Sequence, residues 1–464
     1  MSTDGSRAER RRHRQYRRLV GLTVLLLGAT VAVLTVANAV QGARVSGAEL
    51  NPHALVARPA EPLTLRTSQP VEPVETEDVR VEPAASFTVE SDPSAVVIRF
   101  DEMLDYRTEY EVQVDTVTAA TGAASTLSYR FETPDATVYS LVRGSAQGTS
   151  DEVFRRELLD PGSAEAVFRA PRIQEYAVAG TAIAAVTLTD DGSTELVAAA
   201  LDGGPEATIP TEPGGIVTDL ASSGSSGLVG FVVTAADRSS RTLFVYDFGS
   251  GSSEAREIVG IGGTPLTVQD WAFVPNSTSV VVQSQDLMLY LVDVLGDGEA
   301  VPLGEHQVIL GFIPGTTSLV VADAAGVTSI DVSSAEKAPL ELPSDEAAPT
   351  DEPGPVVILG PERYAEVLFS PDYTKRPTQM NPRLMLVEPS GARAVFRPAS
   401  DDTSIRDMCV SPNGRHLAIE LLDGKGQPDG YPNLPGYSGM SIVFLDLATG
   451  NTTGGTNGFL PSWC

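Results

Sequence analysis

DMCVSPNGRHLAIEL, residues 407–421, reads as an apolar strand, a turn on Pro412 and Gly414, and a second apolar strand. The arrangement recurs upstream in DWAFVPNSTSVVVQ (270–283), LGFIPGTTSLVVA (310–322) and VLFSPDY (367–373). The prolines at 275, 314, 371 and 412 are spaced by 39, 57 and 41 residues. A period near 40 with several short strands per unit predicts a β-propeller. One blade cannot bury both faces of its sheet, and stacking blades around an axis does. The long interval contains LPSDEAAPTDEPGP from Leu342, rich in proline and acid, and is read as a disordered loop.

Weaker copies begin at Ile173 (IQEYAVAGTAIAAVTL) and Ile216 (IVTDLASSGSSGLVGFVV), and outer strands follow in LFVYDF from Leu243 and SIVFLDLATG from Ser441. The last repeat resembles the TolB-like propellers, whose blades carry S-P-D-G-x-x-L-A and then I-x-x-x-D-L-x-T-G. Ser411-Pro412-Asn413-Gly414 with Leu417-Ala418 fits the first motif, and Ile442 with Asp446-Leu447-Ala448-Thr449-Gly450 fits the second. The resemblance spans residues 136–464, and Ser370-Pro371-Asp372-Tyr373 departs from it by lacking the glycine. It implies a binding or interaction platform.

Six repeats are expected to begin near 173, 216, 268, 308, 364 and 405. Residues 136–170 hold three outer strands without an inner one, and FLPSWC (459–464) reads as an inner strand without outer ones. Together they make a seventh blade, which closes the ring without an open edge. Cys409 and Cys464, the two cysteines of the chain, then fall on neighbouring inner strands. A disulfide between them is expected, closing a loop of about 55 residues and contributing roughly 3–4 kcal/mol.

Upstream, LTLRT, VRVEP, FTVES, AVVIRF, EYEVQVDTV and LSYRFET alternate as short strands between Pro62 and Thr133. AVVIRFDEMLDYRTEYEVQV followed by YRFETP is similar to bacterial Ig-like domains of surface proteins, which carry L-x-x-x-T-x-Y and close on F-x-T. Leu104, Thr108 and Tyr110 match the first motif, Phe131 and Thr133 the second. The resemblance implies a β-sandwich spacer over 61–134, with Tyr110 as a corner tyrosine whose hydroxyl is bonded.

The N-terminus reads RAERRRHRQYRR over residues 7–18, and Leu19 to Val40 follow without a charge. Twenty-two residues make a helix of about 33 Å, long enough for a bilayer core of about 30 Å. A basic tail at 1–18 inside, a transmembrane helix at 19–40, a linker at 41–60 and an exported remainder are expected. Ala37-Asn38-Ala39 offers a rival cleavage site. Seven arginines against Asp4 and Glu9 give the tail +5, so the rest carries −34 of the formal −29. A surface that acidic repels phosphate backbones, and no nucleic acid partner is expected.

The sequence offers little chemistry. G-x-S-x-G, H-E-x-x-H, a P-loop and a dinucleotide glycine motif are absent. The histidines at 13, 53, 306 and 416 have no metal-ligand spacing, and His306 and His416 are read as surface-turn residues. Asp190-Asp191-Gly192, Gly296-Asp297-Gly298 and Asp423-Gly424-Lys425 are read as hairpin turns rather than calcium loops. Asp401, Asp402 and Asp407 form a weak carboxylate candidate for glycoside chemistry. The insert GKGQPDGYPNLPGYSG (424–439) presents Tyr431 and Tyr437 as a candidate partner-binding loop.

The reading is therefore all-β: a seven-bladed β-propeller, a small Ig-like β-sandwich before it, and one N-terminal transmembrane helix. The expected function is a membrane-tethered, extracytoplasmic binding or scaffold protein of a bacterial cell envelope. It is expected to have no cofactor, metal or catalytic residue. The expected partner is an envelope protein, with cell-wall glycan as the other candidate. A sensor or regulatory subunit of a membrane complex is the first alternative. A glycan-active enzyme is the second, and it would require a carboxylate-lined funnel at the propeller axis.

Overall fold

The computed structural model describes residues 16–17, 19–33, 42–144, 148–204, 206–224, 226–296, 299–343, 350–376 and 378–463. The chain divides into one compact unit through Pro134 and a second from Asp135.

In the first unit, residues 19–33 are helical with every side chain exposed. Among the described residues no helix is long and apolar enough to cross a membrane. Residues 34–40 of the expected span, and most of the basic tail, lie outside the described residues.

Seven strands then form two sheets. One has the order Val45–Glu49, Pro62–Thr67, Ala95–Phe100, Phe87–Asp92, and the other Val79–Glu82, Glu109–Val117, Ala124–Glu132. Period-2 alternation places Leu63, Leu65, Val96 and Ile98 from the first sheet and Tyr110, Val112, Val114 and Leu127 from the second in one core. Leu63 sits opposite Ile98, and Tyr110 opposite Phe131.

The linker expected at 41–60 needs correction over its described part. Val45–Glu49 pairs with the strand Pro62–Thr67, and Ala43 and Leu55 are buried in the sandwich core. Asn51 caps a single helical turn, Pro52–Leu55, by accepting from the Ala54 N–H. The turn delivers Leu55 inward, and its carbonyl accepts from the Leu104 N–H. Gly, Pro and Ala over this stretch hide the two inward positions from a periodicity reading.

The motif residues of this unit meet in a corner. The Tyr110 hydroxyl accepts from the Asp105 N–H at 3.2 Å, and Thr133 Oγ1 donates to the Asp105 carbonyl at 2.6 Å and accepts from Thr108 N–H at 2.9 Å. Tyr110 stacks on Phe131 with centroids 5.6 Å apart. Tyr110→Phe should therefore destabilise the full chain by about 1 kcal/mol and speed hydrogen exchange at Asp105. An Asp105 amide that exchanges at the parental rate would remove the corner from the account.

The second unit holds seven four-stranded antiparallel sheets among its described residues. Six are consecutive meanders, with first strands Ile173–Ala179, Ile216–Ser222, Val268–Phe273, Val308–Phe312, Glu352–Gly360 and Thr403–Val410. The seventh is composite, in the order Asp160–Ala170, Asp151–Glu157, Thr137–Val142, Phe459–Ser462. In it Phe459 lies opposite Leu141 and Ser462 opposite Tyr139.

Each first strand touches the first strand of the next sheet. Phe459–Ser462 touches both Ile173–Ala179 and the last meander's strands His416–Asp423 and Ser441–Asp446. The sheets thus follow one another around an axis, which is propeller organisation. Second strands lie between two neighbouring sheets and are buried on both faces. Ile183 to Val186, Val280 to Val282 and Leu417 to Ile419 are all fully buried. That is why these segments read as continuous apolar runs rather than alternating ones.

The fifth repeat begins earlier than its motif implies. Arg363–Phe369 is a second strand, and the first strand, Glu352–Gly360, starts inside the stretch expected to be a disordered loop. Residues 344–349 of that stretch lie outside the described residues. Pro353 and Pro355 are tolerated because this strand is at a sheet edge and its register shifts between Pro353 and Val356. Ser370-Pro371 consequently turns between the second and third strands, whereas Ser411-Pro412 turns between the first and second.

Candidate functional site

The innermost strands carry register shifts, between Ile173 and Glu175, Thr218 and Ala221, Val268 and Asp270, and Ile405 and Asp407. A bulge adds one residue to a strand and re-aims its side chain. At or within these bulges stand four carboxylates: Glu175, Asp219, Asp270 and Asp407. Asp219 holds φ at +53°, a left-handed conformation that Asp tolerates better than most residues.

Between the second and third sheets these strands line a cavity of about 270 Å³, formed by Asp219, Leu220, Ala221, Arg241, Gln269, Asp270 and Trp271. Arg241 is held on both sides. It pairs with Asp219 and donates to the carbonyls of Val268 (3.2 Å) and Gln269 (2.8 Å). Trp271 leans onto the second sheet over Gly230, where a Cβ would come within 2.3 Å of the indole. Glycine at 230 is what lets the ring seat there. Gln269 and Asp270 are exposed, and Trp271 is half-buried.

The electrostatics follow from partial desolvation. Although Asp270 is exposed as a residue, partial desolvation by the cavity wall pushes its carboxyl up and Asp219 adds to the push, against the Trp271 backbone N–H and Arg241. Glu175, just behind the cavity wall, accepts from the Leu220 N–H at 2.9 Å. Burial raises it to about 7, with Asp219 again adding.

A second carboxylate pair stands on the last meander. Glu420 accepts from the Leu460 N–H at 2.6 Å and is raised to about 7, first by burial and then by Asp407. Burial also raises Asp407. Arg406 approaches Glu420 at 3.8 Å.

The loop over 424–439 does something other than expected. Tyr431 is 3% exposed, and its hydroxyl donates to Asp151. The Arg143 guanidinium lies 3.7 Å from its ring centroid. Arg143 also donates to Asp429 (2.7 Å) and to the carbonyls of Ile173 (2.9 Å), Gln174 (2.7 Å) and Leu434 (2.9 Å). Tyr437 packs half-buried in the same core. Through these contacts the loop joins the last meander to the composite and first sheets and encloses Tyr431, while Pro432, Asn433 and Pro435 stay exposed.

His306 is also not a surface-turn residue. It is 7% exposed and bonds Asp323 through Nδ1 at 2.8 Å. His416 opens the strand His416–Asp423, half-buried. Asp191 caps its own hairpin through Thr189 and Ser193, and Asp423 accepts from Lys425 N–H, so both serve turns. Asp297 lies outside the described residues. Asp402 sits in the turn before the strand Thr403–Val410, and Asp407 sits at its bulge. No group of three or more His, Cys, Asp or Glu among the described residues is placed to hold a metal ion. Cys409 is on the last inner meander strand with Sγ 3.9 Å from the Pro461 carbonyl, and Cys464 lies outside the described residues.

The cavity residues were missed from sequence, although a signal exists. Asp270 and Asp407 each stand five residues before a repeat proline, Pro275 and Pro412. A charge inside an otherwise apolar strand, at one phase of a repeat, marks the inner bulge.

No family model and no curated protein matches the chain. Among solved structures it is similar to TolB from Acinetobacter baumannii, at 10% identity over 81% of this chain and 79% of that one, with a TM-score of 0.36. It is similar to a prolyl endopeptidase at 10% identity, 80% and 49% coverage and a TM-score of 0.46. It is similar also to a GH74 xyloglucanase from Xanthomonas campestris at 11%, 64%, 50% and 0.38. These likenesses carry no argument about activity. The propeller organisation rests on the sheets described above, and TolB is among the structures that resemble it.

Proposed function

We propose that the chain is a membrane-tethered, extracytoplasmic binding or scaffold protein of a bacterial cell envelope. In this reading a seven-bladed propeller is the interaction platform and an Ig-like sandwich is its spacer. The observation that carries the binding role is the cavity on the inner strands. Indole, amide and carboxylate groups stand together there on bulges of a stiff sheet framework, which is how a recognition site is pre-organised. For the tether, the support is the uncharged run after the basic tail. Within it Thr23 and Thr30 each donate to the carbonyl four residues back, at 2.9 and 2.8 Å, an arrangement compatible with an apolar surrounding.

Crosslinking in cells with the full chain, followed by affinity capture, tests this. An envelope protein recovered with the full chain, and lost when Asp135–Cys464 is deleted, is the expected result. Capture independent of the propeller would reject the platform role.

The ring closure is proposed to be stapled by a Cys409–Cys464 disulfide, a reading consistent with Cys409 Sγ lying 3.9 Å from the Pro461 carbonyl. Non-reducing peptide mapping should recover the two cysteines in one crosslinked peptide. Two alkylatable thiols after unfolding would remove the staple.

A glycan-active enzyme is the second reading, favoured by Glu420 and Asp407, neighbouring carboxylates that burial pushes upward as acid catalysis requires.

A further inference from the structure

We infer that the cavity between the second and third sheets receives a basic side chain, Lys or Arg, from an extended segment of a partner polypeptide. This rests on the platform reading and gives the partner its chemistry. Size is the first argument. At about 270 Å³ the space falls below the range of roughly 300–1,000 Å³ typical of small-molecule pockets. It suits one side chain rather than several sugar rings.

Charge is the second argument. The Arg241 guanidinium is paired with Asp219 and also donates to the carbonyls of Val268 and Gln269. Asp270 lines the space, with Oδ1 accepting the Trp271 backbone N–H at 2.8 Å. Glu175 sits behind Leu220. Two carboxylates, Asp219 and Asp270, therefore line the space with one cation, and a second cation would balance them. The third argument is the indole. A half-buried Trp271 beside a carboxylate is a suitable receptor for alkylammonium or guanidinium, which gain from the ring quadrupole and the charge together. The strongly acidic remainder of the chain would steer such a segment inward.

The chain has two tryptophans, Trp271 and Trp463. Trp463→Phe leaves Trp271 as the single reporter in the full chain. Acetyl-Gly-Arg-Gly-amide and its lysine counterpart should change its emission saturably, and the citrulline analogue should bind at least tenfold more weakly. Asp270→Asn should weaken the arginine peptide by about tenfold or more, while Glu254→Gln, on an exposed outer loop, should leave it unchanged. Raising salt from 50 to 500 mM should weaken it too. Equal binding of arginine and citrulline peptides, no response to millimolar peptide, or saturation by chitooligosaccharide instead would overturn the assignment. If the crosslinked envelope partner is still captured by Asp270→Asn at the parental level, this cavity is not its site, and the platform reading stands without it.

Discussion

The propeller unit should melt about 5–10 °C higher at pH 5 than at pH 8. Glu175 and Glu420 are buried, 9% and 3% exposed, and hold their protons to about pH 7 in the folded state. In the unfolded chain they release them near the ordinary glutamate value of 4.5. Between these values the folded state binds more protons than the unfolded one, so stability falls as pH rises. The contribution is fully present below about 4.5 and lost above about 7. Each carboxylate accounts for about 3 kcal/mol across the window. A unit of this size loses about 0.7 kcal/mol per degree at its midpoint, which gives the stated shift.

Glu420→Gln sharpens the test. The amide oxygen keeps the bond from Leu460 N–H, and the charge that must be buried at pH 8 disappears. The variant should be more stable than the parent at pH 8 by about 2–3 kcal/mol, and level with it at pH 5. Both tryptophans lie in the second unit, so fluorescence melts report that unit alone. A parental midpoint independent of pH from 5 to 8, or a destabilised Glu420→Gln, would show that ionised Glu420 is compensated in the fold.

Arg143→Met should destabilise the propeller by about 3–5 kcal/mol, the second large effect. Arg143 and Asp429 are nearly enclosed, with side chains 3% and 9% exposed. Removing the guanidinium leaves the buried Asp429 carboxylate without its counter-charge and takes a donor from three backbone carbonyls, while keeping most of the volume. It also removes the cation above the rings of Tyr431 and Phe459. Arg143→Met with Asp429→Asn should recover part of the loss, because the stranded charge goes. Urea melts followed by tryptophan fluorescence measure both variants. A single variant within 1 kcal/mol of the parent would mean that the loop over 424–439 does not hold the closure together.

The Glu420 and Arg143 effects both arise at the ring closure. Glu420 accepts from Leu460, Tyr176 donates to the Leu460 carbonyl at 2.7 Å, and Arg143 reaches from the composite sheet to the first meander and the inserted loop. The terminal strand Phe459–Ser462 is short, so side chains from both neighbours hold it. Closure here is a polar network at the inner edge, laid over the hydrophobic contacts between sheets.

The sequence by itself determined the strands and their grouping. Alternation marked Glu109–Val117 and its neighbours, continuous apolar runs marked the doubly buried second strands, and the recurrence of proline turns showed that one supersecondary unit is repeated. These are local properties, written in residues a few positions apart. It also placed an outer three-stranded fragment at 136–170 and a lone strand at the C-terminus, and the structure pairs them.

Tertiary structure alone decided the rest. Whether Arg363–Phe369 is a first or second strand depends on the partner at Glu352–Gly360, whose prolines argue locally against a strand. Whether Tyr431 faces solvent depends on Arg143 and Asp151, nearly 300 residues earlier in the chain. Glu175, Asp219 and the Asp270-Trp271 pair are each more than 40 residues apart in sequence and meet because bulged inner strands of successive sheets lie side by side. A single sequence records which residues can form a strand. It does not record which strand lies beside it, and burial, protonation and the cavity all depend on that neighbour.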